Sequence, residues 1–314
     1  MTVTATAVPE RPLLKPWFRR CPLPDGLLLE HGRATVRFRG AAATRLLPLL
    51  VPLLDGRRTV PELVEAVGAA VEPATHHALG LLARHGLLVD GPPVDPATSA
   101  LDRTAVSLAQ HASEPPAAVR ARLASARVLL EGDRELVGPL GRLLCRAGLA
   151  RAIVHEPEGA FVVTAAAAGD PRLEARNDWA LDRNAPWLPV GLFDGAAALV
   201  GPLVLPGESA CLRCLTLRRD AAAAGARELA AIRGVPSAAP LPPGVAALAV
   251  AVALDRVVRW LGLLDPLLPG VALAVEAAPE LRLTPHPVLR VPRCTGCSPS
   301  ARRSRPVPWH EAAA

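Results

Sequence analysis

The chain of 314 residues contains no tyrosine, one methionine and four phenylalanines. Its lysine supply is a single residue, Lys15; every other member of its 35 basic residues is arginine. With abundant Ala, Leu and Pro, this profile reads as the coding bias of a GC-rich genome. The formal charge of +6 is therefore weak evidence for a nucleic-acid partner, and is compatible with an acidic peptide. The shortage of lysine excludes more: a triphosphate gripped by the second half of the chain would be gripped without one. Long apolar runs are missing too. The most apolar, residues 245–254, is stopped by Asp255, short of the ~20 residues a membrane helix needs. Residues 1–10 show no basic region followed by an apolar core, so no secretory signal is read and a cytoplasmic location is expected. Disorder is excluded by the hydrophobic half of the composition, and the length allows two cores.

Among what is present, two cysteine pairs dominate: Cys211-Leu-Arg-Cys214 and Cys294-Thr-Gly-Cys297. Two residues between thiolates let both sulfurs face one ion from a tight turn, and two such pairs complete the tetrahedral sulfur shell of structural Zn²⁺. Residues 215–293 separate the pairs, so the metal would pin a distant loop to the end of a domain. Neither turn contains His or Asp, which makes the site closed and structural. Two redox motifs or two disulfides are the competing readings; redox motifs seldom occur in pairs, and disulfides are rare in a reducing compartment. Cys21 and Cys145 stand alone among apolar neighbours and are expected to be packing residues.

A first module spans residues 11–90. Leu27 to His31 and Ala34 to Arg39 read as strands around a Gly32 turn. Ala42 to Leu54 reads as a helix, and Thr59-Val60-Pro61-Glu62 as the start of a second. A third begins near Pro73 and buries Leu79 and Leu82, and Leu87 to Val89 closes the unit, giving a winged-helix-like module. Residues 91–125, rich in Pro, Ala and Ser, read as a linker with one helix near Leu101 to His111. From 126 to 300 strands alternate with helices. Strands are expected at Val128 to Leu130, Ala152 to Val154, Phe161 to Thr164, Leu188 to Leu192, Ala198 to Leu205, Gly270 to Glu276 and Leu281 to Thr284, with helices at Glu135 to Ala147 and Val245 to Trp260. That order predicts an α/β domain with a mostly parallel, Rossmann-type sheet. The basic, proline-rich residues 301–314 read as a flexible tail.

In a nucleotide-binding version of this fold, the first strand runs into a glycine turn that opens a helix. The corresponding residues are Gly132-Asp-Arg134-Glu-Leu-Val137. Arg134 and Val137 replace the second and third glycines, and Asp133 and Glu135 add negative charge where a phosphate would sit. The nucleotide site reads as lost, with no catalytic residue and no bound ATP expected. Asp170, Glu174 and Asp178 read as a solvated loop rather than a Mg²⁺ site.

The run from Gly201-Pro-Leu-Val-Leu-Pro-Gly207 to Cys211-Leu-Arg-Cys214, with Pro292-Arg-Cys294-Thr-Gly-Cys297, resembles the zinc site of E1-like (ThiF-like) proteins. More narrowly, the chain is similar to E1-like partner proteins of azol(in)e-forming peptide pathways, in which a PqqD-like leader-recognition module precedes a ThiF-like domain that has lost adenylation. Arg11-Pro-Leu-Leu-Lys15-Pro and Leu54-Asp-Gly-Arg-Arg-Thr-Val60 fit that module. The resemblance implies a scaffold that captures the leader of a ribosomal precursor peptide and docks a YcaO-type cyclodehydratase. It implies leader capture by strand addition at Ala34, Val36, Arg37, Phe38 and Arg39, against a helix face of His77, Leu81, Arg84 and Leu88. Arg37 and Arg39 are open between pairing with acidic leader residues and facing solvent, and His77 between leader contact and ordinary surface. A homodimer is compatible with the resemblance; no membrane or nucleic-acid partner is expected.

Two readings from other classes compete. One is a live E1-like enzyme adenylating a peptide or carrier-protein carboxylate, opposed by the broken glycine turn and the missing lysine. The other is a winged-helix DNA-binding regulator, opposed by a third helix that offers one arginine beside Thr75, His76 and His77.

Overall fold

The computed structural model describes residues 7–223, 240–276 and 280–298. The expected tail at 301–314 lies outside the described residues. Contacts divide the chain into two units, Met1–Ala124 and Ser125–Ala314. No helix among the described residues is long and apolar enough to cross a membrane.

In the first unit β1 (Pro12–Leu14) pairs antiparallel with β5 (Leu88–Asp90), and β2 (Arg19–Leu23), β3 (Gly26–His31) and β4 (Ala34–Arg39) form an antiparallel meander in that order. β1 and β2 have no sequence signal: β1 is three residues long, and β2 is exposed along almost all of its length. Both are held by ladder bonds to partners rather than by alternation of their own. Gly26 is required by close approach, because a Cβ there would lie 1.9 Å from the Phe38 carbonyl oxygen. The period of two sorts the meander into faces. Leu27 and Leu29 point inward and are buried, with Val36 and Phe38 packed beside them; Arg19, Cys21, Leu28, Glu30, Arg37 and Arg39 share the outer face. Cys21 is therefore exposed, against the expectation that it packs.

The stretch read as one helix breaks into α1 (Ala41–Arg45), α2 (Leu47–Leu50) and a 3₁₀ turn at Val51–Leu53. Pro48 and Pro52 lack the N–H that would carry a helical ladder through. α3 (Val60–Val67) opens on a capping box, the Thr59 N–H donating to Glu62 Oε2 at 2.7 Å. α4 (Glu72–Arg84) buries Ala78, Leu79, Leu82 and Ala83 against Leu14, Leu29, Leu50, Leu63 and Leu87. Leu88 lies on β5, buried in that core, and not on the α4 face where the sequence reading placed it. The expected linker is corrected in part. It forms α5 (Ala100–Ala112) and α6 (Pro116–Ser125), joined by buried Asp102, which accepts from Ser99 Oγ and from Arg120 Nε. α5, with Ala105 and Ala109 on its buried side, is the helix expected near Leu101 to His111; α6, which buries Val119 and Leu123, is the part the linker reading missed.

The second unit contains β6 (Val128–Gly132), α7 (Arg134–Arg146), β7 (Ile153–Val154), β8 (Phe161–Ala166), α8 (Pro171–Arg183), β9 (Trp187–Gly191), β10 (Ala197–Val200), α9 (Leu212–Ala222), α10 (Pro243–Leu263), β11 (Val271–Glu276) and β12 (Arg282–Pro287). Its seven strands run in the order β12-β11-β10-β9-β8-β6-β7. β7, β6, β8 and β9 are parallel; β10, β11 and β12 each run antiparallel to their neighbour, so the sheet is mixed rather than mostly parallel. β8 and β9 are buried throughout, which explains their unbroken apolar runs. Cys145, on the last turn of α7, is exposed. Asp170 is the N-cap of α8, with Glu174 and Asp178 on that helix rather than in a loop. The chain leaves β6 through α7 to β7 at one edge, then returns to β8 on the other side of β6. The crevice between β6 and β8 is thus the topological switch point, where doubly wound folds hold their ligands.

Candidate functional site

Cys211 is the N-cap of α9, and Cys214 sits one turn in. The turn carrying Cys294 and Cys297 follows β12. All four sulfurs lie within 4.8 Å of one another: Cys211 is 3.8 Å from Cys214 and 3.7 Å from Cys294, and Cys214 is 3.5 Å from Cys297. A tetrahedral ion with ~2.3 Å bonds to sulfur spaces its ligands ~3.8 Å apart, whereas a disulfide closes to ~2.05 Å. The four thiols thus fit one metal ion and make no disulfide. Three of them are fully buried, Cys297 partly.

A cation needs thiolates as ligands. The Cys214 thiol is drawn down to about 4, chiefly because Cys211 donates to its sulfur; the Val291 N–H also points at it, at 3.3 Å. Cys211 is pushed up by giving that hydrogen bond and by burial, and burial leads the rise at Cys297.

Residues that the sequence did not single out hold the turns in place. Asn177, buried on α8, accepts the Leu212 N–H at 2.9 Å through Oδ1. Ser209 Oγ accepts from the Leu205 N–H at 2.7 Å and so closes the loop that enters Cys211. Arg290 ties the two cysteine segments, donating to the Gly207 carbonyl at 2.6 Å and the Cys297 carbonyl at 3.0 Å.

The switch-point crevice, about 390 Å³, is lined by Glu131, Gly132, Thr164, Arg172, Arg176 and Trp179. Its two arginines already have partners. Arg176 makes a bidentate pair with Glu131, at 2.7 and 2.5 Å, and lies over the Trp179 ring at 4.6 Å. Arg172 pairs with Asp170 and, at 2.9 Å, with Asp133. These hydrogen bonds hold the Asp170 carboxyl below its ordinary range and raise the Arg172 guanidinium. The surviving glycine of the turn, Gly132, has φ +105, and a Cβ there would meet the Ala165 carbonyl oxygen at 1.9 Å. The Asp133 N–H donates to that same oxygen at 2.8 Å. Gly132 thus lets β6 lie close to β8, and the first N–H of the turn is bound within the protein.

In the first unit β4 is an edge strand, paired only with β3. Ala34, Arg37 and Arg39 are exposed, Val36 and Phe38 half-buried. Arg37 Nη2 donates to both Asp25 carboxylate oxygens at 2.9 Å, and Arg39 Nε lies 3.5 Å from Asp25. Phe38 packs edge-on against His85 at the end of α4, with 5.6 Å between ring centroids. The β4 edge and the C-terminal end of α4 therefore meet. On α4, His77 and Arg84 are exposed and Leu81 is half-buried. Lys15 is buried elsewhere in this unit, donating to Ser113 Oγ at 3.1 Å.

No protein-family model and no curated protein matches the chain. Solved structures do. The heterocyclase TruD matches with a TM-score of 0.72 at 23% identity, over 92% of this chain and 43% of that one. A heterocyclase in complex with substrate and cofactor matches with a TM-score of 0.68 at 22% identity, over 91% of this chain and 39% of that one. E. coli MccB with ATP matches with a TM-score of 0.60 at 14% identity, over 91% of this chain and 99% of MccB. At these identities the likeness is one of fold. The chain spans about two-fifths of the length of the heterocyclase chains it matches.

Proposed function

We propose that this chain is a non-catalytic, zinc-stabilised E1-like scaffold. It binds the leader of a ribosomal precursor peptide and presents it to a YcaO-type cyclodehydratase that installs azol(in)e heterocycles. The observation that carries this reading is the switch-point crevice. Each arginine there is matched by a carboxylate, and two carboxylates, Glu131 and Asp133, flank the glycine of the turn. Introducing a triphosphate would place its charge beside Glu131, Asp133 and Asp170 in a unit whose sequence contains no lysine, which is electrostatically unfavourable.

Three further features agree with it. Four thiolates with tetrahedral spacing are the donor set zinc prefers, and a shell complete in protein sulfur leaves no open position for chemistry. The meander followed by α1 to α4 suits a PqqD-like winged-helix module, and its β4 edge offers unpaired backbone groups for strand addition. The heterocyclases of the same fold are more than twice as long as the matched region, and the cyclodehydratase would supply what this region lacks.

MccB, matched over nearly its whole length and solved with ATP, favours a second reading, an ATP-dependent adenylating enzyme. The two are separated by titrating fluorescent leader peptides encoded beside this gene, with and without ATP–Mg²⁺, alongside a pyrophosphate-exchange assay. Leader binding indifferent to ATP, with no exchange, is the expected result. Exchange on a carboxylate substrate without leader binding would establish the adenylating enzyme instead.

A further inference from the structure

We propose that the β4 edge selects peptides in which acidic and apolar residues alternate, and that Asp25 is an internal competitor for their acidic side chains. The inference rests on the strand-capture reading above and names the sequence class that edge would take.

Antiparallel ladders alternate bonded and non-bonded pairs. The Gly40 N–H donates to the Asp25 carbonyl at 3.1 Å, in register with the β3–β4 pairing. The bonded pairs inside the meander are therefore Phe38 with Leu27, Val36 with Leu29 and Ala34 with His31. Thr35, Arg37 and Arg39 fall between them and turn their N–H and C=O groups to the free edge. These same three residues carry their side chains on the outer face. A strand bonded to them sets alternate side chains beside Arg37 and Arg39, within cross-strand reach, and the intervening ones toward Val36 and Phe38. One face of the guest is met by guanidinium groups and the other by apolar surface.

Asp25 complicates the first face. It sits in the turn between β2 and β3, fixed to the end of β4 by the Gly40 bond, and one carboxylate serves both arginines. The corner keeps a net charge of +1, and both guanidinium groups have N–H donors to spare. The Arg37 hydrogen bond holds the Asp25 carboxyl below its ordinary range, so the competitor is charged at neutral pH. Elsewhere on this face Arg19 is matched one to one by Glu30 at 2.6 Å. The excess positive charge therefore lies at the free edge, where a guest carboxylate can share or take over the arginines.

The test uses two fluorescein-labelled heptapeptides, one alternating Glu and Val and the other Gln and Val, titrated by fluorescence polarisation at low salt, where exposed charges act most strongly. The Glu probe should bind the native chain more tightly than the Gln probe. Asp25→Asn should tighten the Glu probe about three- to tenfold, as charge-assisted bonds become available, and leave the Gln probe unchanged. Arg37→Gln combined with Arg39→Gln should erase the difference between probes, with circular dichroism melts confirming that each variant folds. If both probes bind and Asp25→Asn does not tighten the Glu probe, the competitor is disproved while strand capture stands. If neither probe binds any of the proteins, capture at this edge and the inference built on it both fall.

Discussion

At the start of α9 a buried backbone N–H is answered by a side chain from another helix. Asn177 Oδ1 accepts from Leu212, the residue after the first cysteine, and both are buried. Replacing Asn177 with leucine removes the acceptor and leaves that N–H without water or partner, a loss of about 1–3 kcal/mol. Because Leu212 follows Cys211 directly, the same change should loosen the thiol geometry. The expected outcome is a lowered melting temperature together with faster metal loss to a colorimetric chelator, measured on one preparation; Asn177→Asp, which keeps an acceptor, should rescue part of both. Unchanged metal release would show that the turn holds itself. The four cysteines were legible in the sequence because two-residue spacing is itself a geometric statement. Asn177 was not, since nothing local distinguishes an asparagine 35 positions before its partner. Cys21 and Cys145 were misread for a related reason: apolar neighbours in sequence say little about which side of a strand or helix a thiol occupies.

At the scale of elements, the meander separates two substitutions that look equivalent in the sequence. Val36 bonds inward to Leu29, whereas Arg37 turns its N–H to the open edge. Val36→Pro would cut the β3–β4 ladder and destabilise the first unit, so lost peptide binding would be ambiguous. Arg37→Pro removes an outward donor and the Arg37–Asp25 pair but no β3–β4 ladder bond, and proline is tolerated at such edge positions. The prediction is a folded first unit, by circular dichroism and melting temperature, whose affinity for leader peptide falls at least about tenfold, the loss of one backbone bond and one guanidinium. Full affinity in a folded Arg37→Pro protein would contradict strand addition at β4. The helical and buried-strand elements were legible where apolar residues form a long or unbroken run, as in α10 and β8. α5 falls where a helix was expected, near Leu101 to His111, whereas β1, β2 and α6 were not legible. The two strands are defined by their ladder partners, and α6 buries only Pro116, Val119 and Leu123 from a short Ala- and Arg-rich stretch that composition cannot tell from a linker.

For the whole molecule, the thiol centre ties together segments far apart in the second unit, alongside the β10–β11 pairing and the Arg290 hydrogen bonds. Cys211 and Cys294 are 83 positions apart, and between them lie α10 and β11. A cross-link closing a loop of that length is worth about 4–5 kcal/mol in the chain-entropy picture. In a unit of this size that corresponds to a fall in Tm of roughly 10–15 °C. Metal analysis of freshly purified, reduced protein should find about one zinc per chain, and chelation should lower the melting of the second unit by that amount. The first unit has a separate core of Leu14, Leu29, Leu50, Leu63 and Leu82 and no part in the metal site. Its transition, followed by calorimetry, should stay where it was. On the proposed scaffold reading, leader affinity should survive chelation below the first transition, while productive presentation to a cyclodehydratase should be lost as the second unit loosens. Such a split would assign capture to one unit and presentation to the other. Zinc well below one per chain, or a melt indifferent to chelation, would mean that the four thiols hold the fold by packing alone.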